Sequence, residues 1–100
     1  MFYIYLIYSV SADKYYVGYS NDAFRRVIEH NISERNTFTA KYRPWELVAL
    51  FECGEDRGNA IKIERFIKKQ KNRRIFEQMK NGDQLPGPLA QLVRVPLLRD

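Results

Sequence analysis

One carboxylate stands out among the side chains able to do chemistry. Glu64 sits in the run KIERFIKKQKNRR, residues 62–74. At about 100° per residue it falls between Ala60 and Ile61 on the apolar side of a helix, next to Ile63 and Ile67. An ionised carboxylate is expensive to bury unless it is paired, metal-bound or functional. An Arg partner, or an edge position that still reaches water, would account for it equally. Arg26 and His30, four residues apart, share a face of an earlier helix that borders its apolar stripe. Arg25 with Glu29 reads as a surface i,i+4 pair on the outer side. Tyr5 and Tyr16 could face one cleft from adjacent strands, although a strand tyrosine is as a rule sheet packing with its hydroxyl at an edge. Cys53, near a strand end with no helix start or His–Cys spacing to activate it, reads as a packed small residue.

These groups need elements to hold them. Phe2 to Tyr8 is a continuous apolar and aromatic run, expected as a strand buried on both faces. Tyr15 to Tyr19 forms a second strand, antiparallel to the first across a short connection. Ser20-Asn21-Asp22 supplies cap residues, and Ala23, Phe24, Val27 and Ile28 fall at helical spacing, so a short helix runs from Asp22 to about Asn31. Ser33 to Arg43 is polar and aperiodic, a loop. Glu46 to Glu52 is a third strand. Ala60, Ile61, Ile63, Phe66 and Ile67 mark an amphipathic helix from Asn59 to about Gln70. Ile75 to Met79 extends it or starts another, closed by Gly82. The order β-β-α-β-α, with a last α, predicts an α/β (α+β) fold: a three-stranded antiparallel sheet flanked by helices.

Composition narrows the class. The chain has 100 residues, 45% hydrophobic and 14% aromatic, which suits one folded domain rather than a disordered chain. No apolar run approaches the roughly 20 residues of a membrane span. Met1 to Val10 lacks the basic leader and the small-residue cleavage site of a signal peptide. The lone Cys53 excludes an internal disulfide framework and a cysteine zinc cluster, and it fits a reducing compartment, here the cytoplasm.

The formal net charge is +5. Residues 62–74 carry seven basic groups and one acid, a net +6, whereas the other 87 residues carry 10 basic and 11 acidic groups, a net −1. All the excess lies on one segment. It is either a solvated helix face or a phosphate-contacting surface.

Tyr3-Ile4-Tyr5, then Tyr16-Val17-Gly18, then Arg26, His30 and a later helical Glu64 resemble the GIY-YIG nuclease domain. The stretches from Gly18 to Asn31, from Thr39 to Pro44 and from Ala60 to Lys71 are similar to the small stand-alone bacterial members of that superfamily. The resemblance spans about residues 2–80 and implies metal-dependent cleavage of a nucleic-acid phosphodiester. It casts Glu64 as the ligand of a single Mg²⁺ or Mn²⁺. Tyr5 would accept the attacking water's proton, directly or through solvent on the cation. A tyrosine with a pKa near 10 is a poor base unless positive charge lies close, so this role requires Tyr5 to sit near the cation or Arg26. Tyr16 would support the scissile phosphate or the nucleophile, Arg26 would steady phosphate charge, and His30 would assist proton transfer. Gly18 would let backbone pass close to the site. Lys41, Lys62, Arg65, Lys68 and Lys69 are the expected nucleic-acid contacts. DNA is expected ahead of RNA, cut by structure or without selectivity, with a recruiting protein as a further partner. The rival reading is a nuclease-like fold that only binds nucleic acid or another protein.

The domain is expected over 1–82 and a poorly ordered tail over 83–100. Leu89 to Arg94 is what a transfer-RNA D-arm encodes when read in frame. On that reading the last dozen or so residues are an accidental extension.

Overall fold

The computed structural model describes residues 1–34, 38–70 and 72–97. Strand β1 (Phe2–Ser9) pairs with β2 (Lys14–Ser20) on one side and β3 (Glu46–Gly54) on the other. A two-residue strand, β4 (Val93–Arg94), pairs with Phe51 and Glu52 of β3, which makes four antiparallel strands in the order β2-β1-β3-β4. The α+β class agrees with the sequence; the strand count of three does not. The helices are α1 (Ala23–Ile32), α2 (Arg57–Lys69) and α3 (Arg73–Asn81). Among the described residues, no helix is long and apolar enough to cross a membrane.

Each helix starts where a short polar side chain answers an orphan backbone N–H. Asp22 accepts from the Arg25 amide at 3.2 Å, Asp56 from Gly58 at 2.9 Å and Asn72 from Arg74 at 2.8 Å. Gly82, at φ 78°, ends α3 in the left-handed cap conformation. The segment expected as featureless loop contains a 3₁₀ turn, Thr39–Tyr42, and residues 35–37 lie outside the described residues.

Central β1 is buried on both faces, as its unbroken apolar run predicts. Tyr5 and Ile7 join Ala23, Trp45 and Leu50 on the side of α1. Ile4 and Leu6 join Val17, Ala49 and Phe51 under Ile67 of α2 and Ile75 and Met79 of α3.

The tail is not loose over its described part. Leu85 and Leu89 are buried in the second core, the latter in a 3₁₀ turn (Gly87–Gln91). Arg94 lies 5.6 Å from the Phe51 ring centre and donates to the backbone carbonyls of Met79 and Lys80. Two prolines stop a helix there, but leucines four apart still fill the space left beside α3.

Candidate active site

The site begins with a missing side chain. Tyr5 of β1 faces Gly18 of β2 in register, so both point to the same side of the sheet. A Cβ on Gly18 would stand 2.4 Å from the Tyr5 hydroxyl oxygen and 2.5 Å from its ring carbon Cζ. The Tyr5 ring therefore occupies the space of the absent side chain and lies across β2. Because β2 is an edge strand, the phenol oxygen is delivered to the rim of the sheet. Tyr16, two residues from Gly18 on the same strand face, flanks it.

Helix α1 supplies the next layer. His30 is 6% exposed; its Nε2 lies 2.8 Å from the Tyr5 oxygen and its Nδ1 lies 2.9 Å from Thr39 Oγ1. One turn earlier, Arg26 projects beside Tyr5. Glu29 accepts from Arg26 and from Arg25, each at 2.6 Å, so one carboxylate steadies both guanidinium groups. The i,i+4 pair read from sequence thus also anchors Arg26.

Electrostatics follow from burial. Desolvation pushes the Tyr5 phenol up to about 12, with Arg26 pulling the other way. Positive charge does sit beside Tyr5, as the base role requires, but burial outweighs it. Desolvation, seconded by Arg26, draws the His30 imidazole down to about 4. At neutral pH both groups are uncharged. The hydrogen bond to Arg26 holds the Glu29 carboxyl below its usual range. Burial raises the Cys53 thiol, which agrees with a packed residue and not a nucleophile.

Helix α2 runs past the β2 edge and completes the cleft with Glu64. The cleft measures about 430 Å³ and is lined by Tyr5, Tyr16, Gly18, Arg26, Arg57 and Glu64 among others. A second hollow of about 670 Å³ adjoins it, sharing Tyr16 and Arg26 and reaching His30 and Thr39. Tyr5, Tyr16, Arg26, His30 and Glu64, scattered over 60 positions of sequence, come together in one place.

The Glu64 side chain is 17% exposed, with Lys68 Nζ 3.5 Å from its Oε1. The same ammonium stands 5.3 Å from the Tyr16 ring centre. Among the described residues, no group of three or more His, Cys, Asp or Glu gathers to cage a metal. Both nitrogens of His30 are engaged, and no thiol lines the cleft. A single hard carboxylate at the mouth of a wet cleft suits a cation such as Mg²⁺ or Mn²⁺, which keeps most of its water and takes other oxygens from a phosphate substrate.

The expected basic contacts divide. Lys68 lines neither hollow but touches two residues of the cleft, Glu64 and Tyr16. Lys62, Arg65 and Lys69 are exposed and lie about 100–160° round α2 from Glu64, on its outer side. Lys41, exposed in the Thr39–Tyr42 turn, lines neither hollow. Arg57, absent from the expected set, lines the cleft with Nε and Nη2 both 3.4 Å from the Tyr19 hydroxyl. Its signal was available: seven residues before Glu64 is two helical turns, hence the same face.

A carboxylate and an arginine thus flank a buried tyrosine on the rim of a small sheet. Residues 1–80 match the GIY-YIG catalytic domain, and the chain belongs to that family of nucleases. Its relatives include a UPF0213 protein of Haloquadratum walsbyi, 35% identical over 79 residues, covering 76% of this chain and 86% of the relative. A UPF0213 protein of Listeria monocytogenes is 41% identical over 59 residues, 59% of this chain and 65% of the relative. One from Listeria innocua is 41% identical over 59 residues, covering 59% of this chain and 64% of the relative. The match therefore spans a little under two thirds of the Listeria proteins.

Proposed function

We propose that the protein is a metal-dependent nuclease that hydrolyses phosphodiester bonds of DNA, or of RNA, choosing targets by structure or not at all. The observation that carries this reading is the convergence of Tyr5, Tyr16, Arg26 and Glu64, from four separate elements, on one cleft, with His30 directly behind Tyr5. The setting is cytoplasmic, in keeping with the free thiol of Cys53.

Glu64 is the residue that would hold the Mg²⁺ or Mn²⁺. Once bound, the cation supplies Lewis acidity at a phosphate oxygen and positive charge beside Tyr5. Arg26, held by Glu29, presents its fork to a nonbridging oxygen and cannot lose its proton. Tyr16 forms the wall against which the phosphate rests. Tyr5 accepts the attacking water's proton while giving its own to His30 Nε2, and His30, drawn down to about 4, does not keep that proton but releases it to solvent in the adjoining hollow that its ring lines. A donor-only guanidinium on the phenol side favours that direction, with Nδ1–H donating to Thr39. The water oxygen bonds to phosphorus, the bond from phosphorus to the leaving oxygen breaks, and solvent protonates the leaving oxygen.

The test compares single-stranded, nicked, branched and duplex substrates, with and without Mg²⁺, for wild type, Glu64→Ala, Tyr5→Phe and Arg26→Ala. Metal-dependent cutting by wild type and its loss in the variants is expected. Wild type that binds but never cuts leaves the rival, a binding-only module. Glu64→Ala cutting as well as wild type would expose a contaminant.

A further inference from the structure

Some of the described cations are tied to carboxylates. Arg25 pairs with Asp22 and Glu29, Arg26 with Glu29, and Arg73 with Asp13 and Glu77. Arg57 is different. It has no carboxylate partner among the described residues; its guanidinium lies 6.0 Å from the Tyr19 ring centre, within hydrogen-bond reach of that hydroxyl. Stacking of this kind restrains the fork and leaves N–H groups for an anion. Lys68 rests on a second aromatic, Tyr16, and its one ion pair among the described residues is the long contact to Glu64.

Their spacing is informative. Around the axis of α2, positions 57, 64 and 68 fall within about 40° of each other. Along the axis, Arg57 stands about 10 Å to one side of Glu64 and Lys68 about 6 Å to the other. The row thus reads cation, carboxylate, cation over about 16 Å, a length that spans about five nucleotides at about 3.4 Å of duplex axis each.

Resting on the nuclease reading, we propose that this row of α2 is the substrate track. One nucleic-acid strand runs along it, with Arg57 and Lys68 each gripping a phosphate on either side of the one presented at Glu64. The outer face, Lys62, Arg65 and Lys69, stands off the track although it carries three of the five cations of α2. When a substrate phosphate enters, the Lys68 ammonium trades its contact with Glu64 for that phosphate, which frees the carboxylate.

The test is binding of a fluorescein-labelled 20-nucleotide strand and its duplex by anisotropy, in EDTA so that nothing is cut, from 50 to 300 mM NaCl. The proteins are wild type, Arg57→Ala, Lys68→Ala and the triple variant Lys62→Ala/Arg65→Ala/Lys69→Ala. Each single variant is expected to flatten the slope of log Kd against log salt by roughly 0.7–0.9, the loss of one phosphate contact. The triple variant is expected to flatten it by less than one such contact. A slope unchanged in Arg57→Ala and Lys68→Ala, or a triple variant that loses about three contacts, overturns the track, as does wild type with no binding. Cutting is scored separately. Wild type that binds along this row without cutting defeats the nuclease reading and spares the track, whereas cutting that survives both single variants undiminished does the reverse.

Discussion

Replacing Gly18 with Ala tests whether the site is built by a void. The added Cβ would meet the Tyr5 oxygen at 2.4 Å and Cζ at 2.5 Å, where carbon atoms prefer about 3.5–4.0 Å. Tyr5 is 1% exposed and its oxygen is bonded to His30 at 2.8 Å, so the ring cannot swing into solvent. It must withdraw by about 1 Å, which ends that hydrogen bond. Overpacking of this kind costs about 1–3 kcal/mol. An alanine in a strand recovers about 0.5–1 kcal/mol relative to glycine. The net loss is about 0.5–2 kcal/mol, or roughly 2–15 °C in melting temperature for a domain of this size. Melting curves of wild type, Gly18→Ala, Tyr5→Leu and the double variant form the assay. Leucine ends short of the ring atoms that clash, so Gly18→Ala should be neutral or stabilising in that background, and the coupling energy should reach about 1–3 kcal/mol. Equal destabilisation in both backgrounds would refute the reasoning. So would a Gly18→Ala protein that melts and cuts like wild type.

His30 titrates at about 4 in the fold against 6.5 when unfolded, so between those values the unfolded chain binds the extra proton and stability falls as pH drops through the window. The loss should reach about 2–3 kcal/mol by pH 4 in urea melts, and His30→Gln should remove that part of the slope. At the alkaline end, Tyr5 stays protonated up to about 12 while an unfolded tyrosine ionises near 10, so stability falls again as pH rises through that interval. Absorbance titration near 295 nm should show one late tyrosine that is absent from Tyr5→Phe. Thr39→Val removes the partner of His30 Nδ1. It is expected to lower cutting about 10-fold or more with little change in substrate affinity, read as a kcat effect at constant KM. Excess Mn²⁺ should raise the melting point of wild type, by the equivalent of about 2.7 kcal/mol at a hundred times Kd, and should leave Glu64→Gln unmoved.

The strands and helices were legible because their signals are local. An unbroken FYIYLIY run, rich in strand formers, reads as a strand buried on both sides, and Asp22 and Gly82 mark helix ends by chemistry that needs no partner. The tail was opaque for the opposite reason. Pro86 and Pro88 report correctly that no helix forms, but they say nothing of whether Leu85 and Leu89 have somewhere to go. That depends on the gap between α3 and β3, which is a property of the assembled sheet. Arg94 joins the two problems: it packs on Phe51 and at the same time answers the carbonyls at the end of α3, so β4 pairs with the sheet edge although two residues carry no strand signal of their own.

The site shows the same division more sharply. Glu64 was found by its misfit on an apolar helix face, and Arg26 with His30 by their spacing. Tyr5 and Tyr16 were visible only as strand tyrosines that could share a cleft; the resemblance then gave them roles and added Gly18. The charge was legible as belonging to one segment, but the direction in which each cation points was not, because net charge per segment sums over all directions around a helix. At about 100° per residue the cations of α2 must point both toward the cleft and away from it, and the segment's last arginines belong to α3. Projection from Glu64 selects Lys68 and reaches back past the segment to Arg57, and it discards Lys62, Arg65 and Lys69. What matters to a phosphate is therefore the sign of the row that shares a face with the carboxylate. That row carries only two cations, and each lies against an aromatic side chain of the same edge strand.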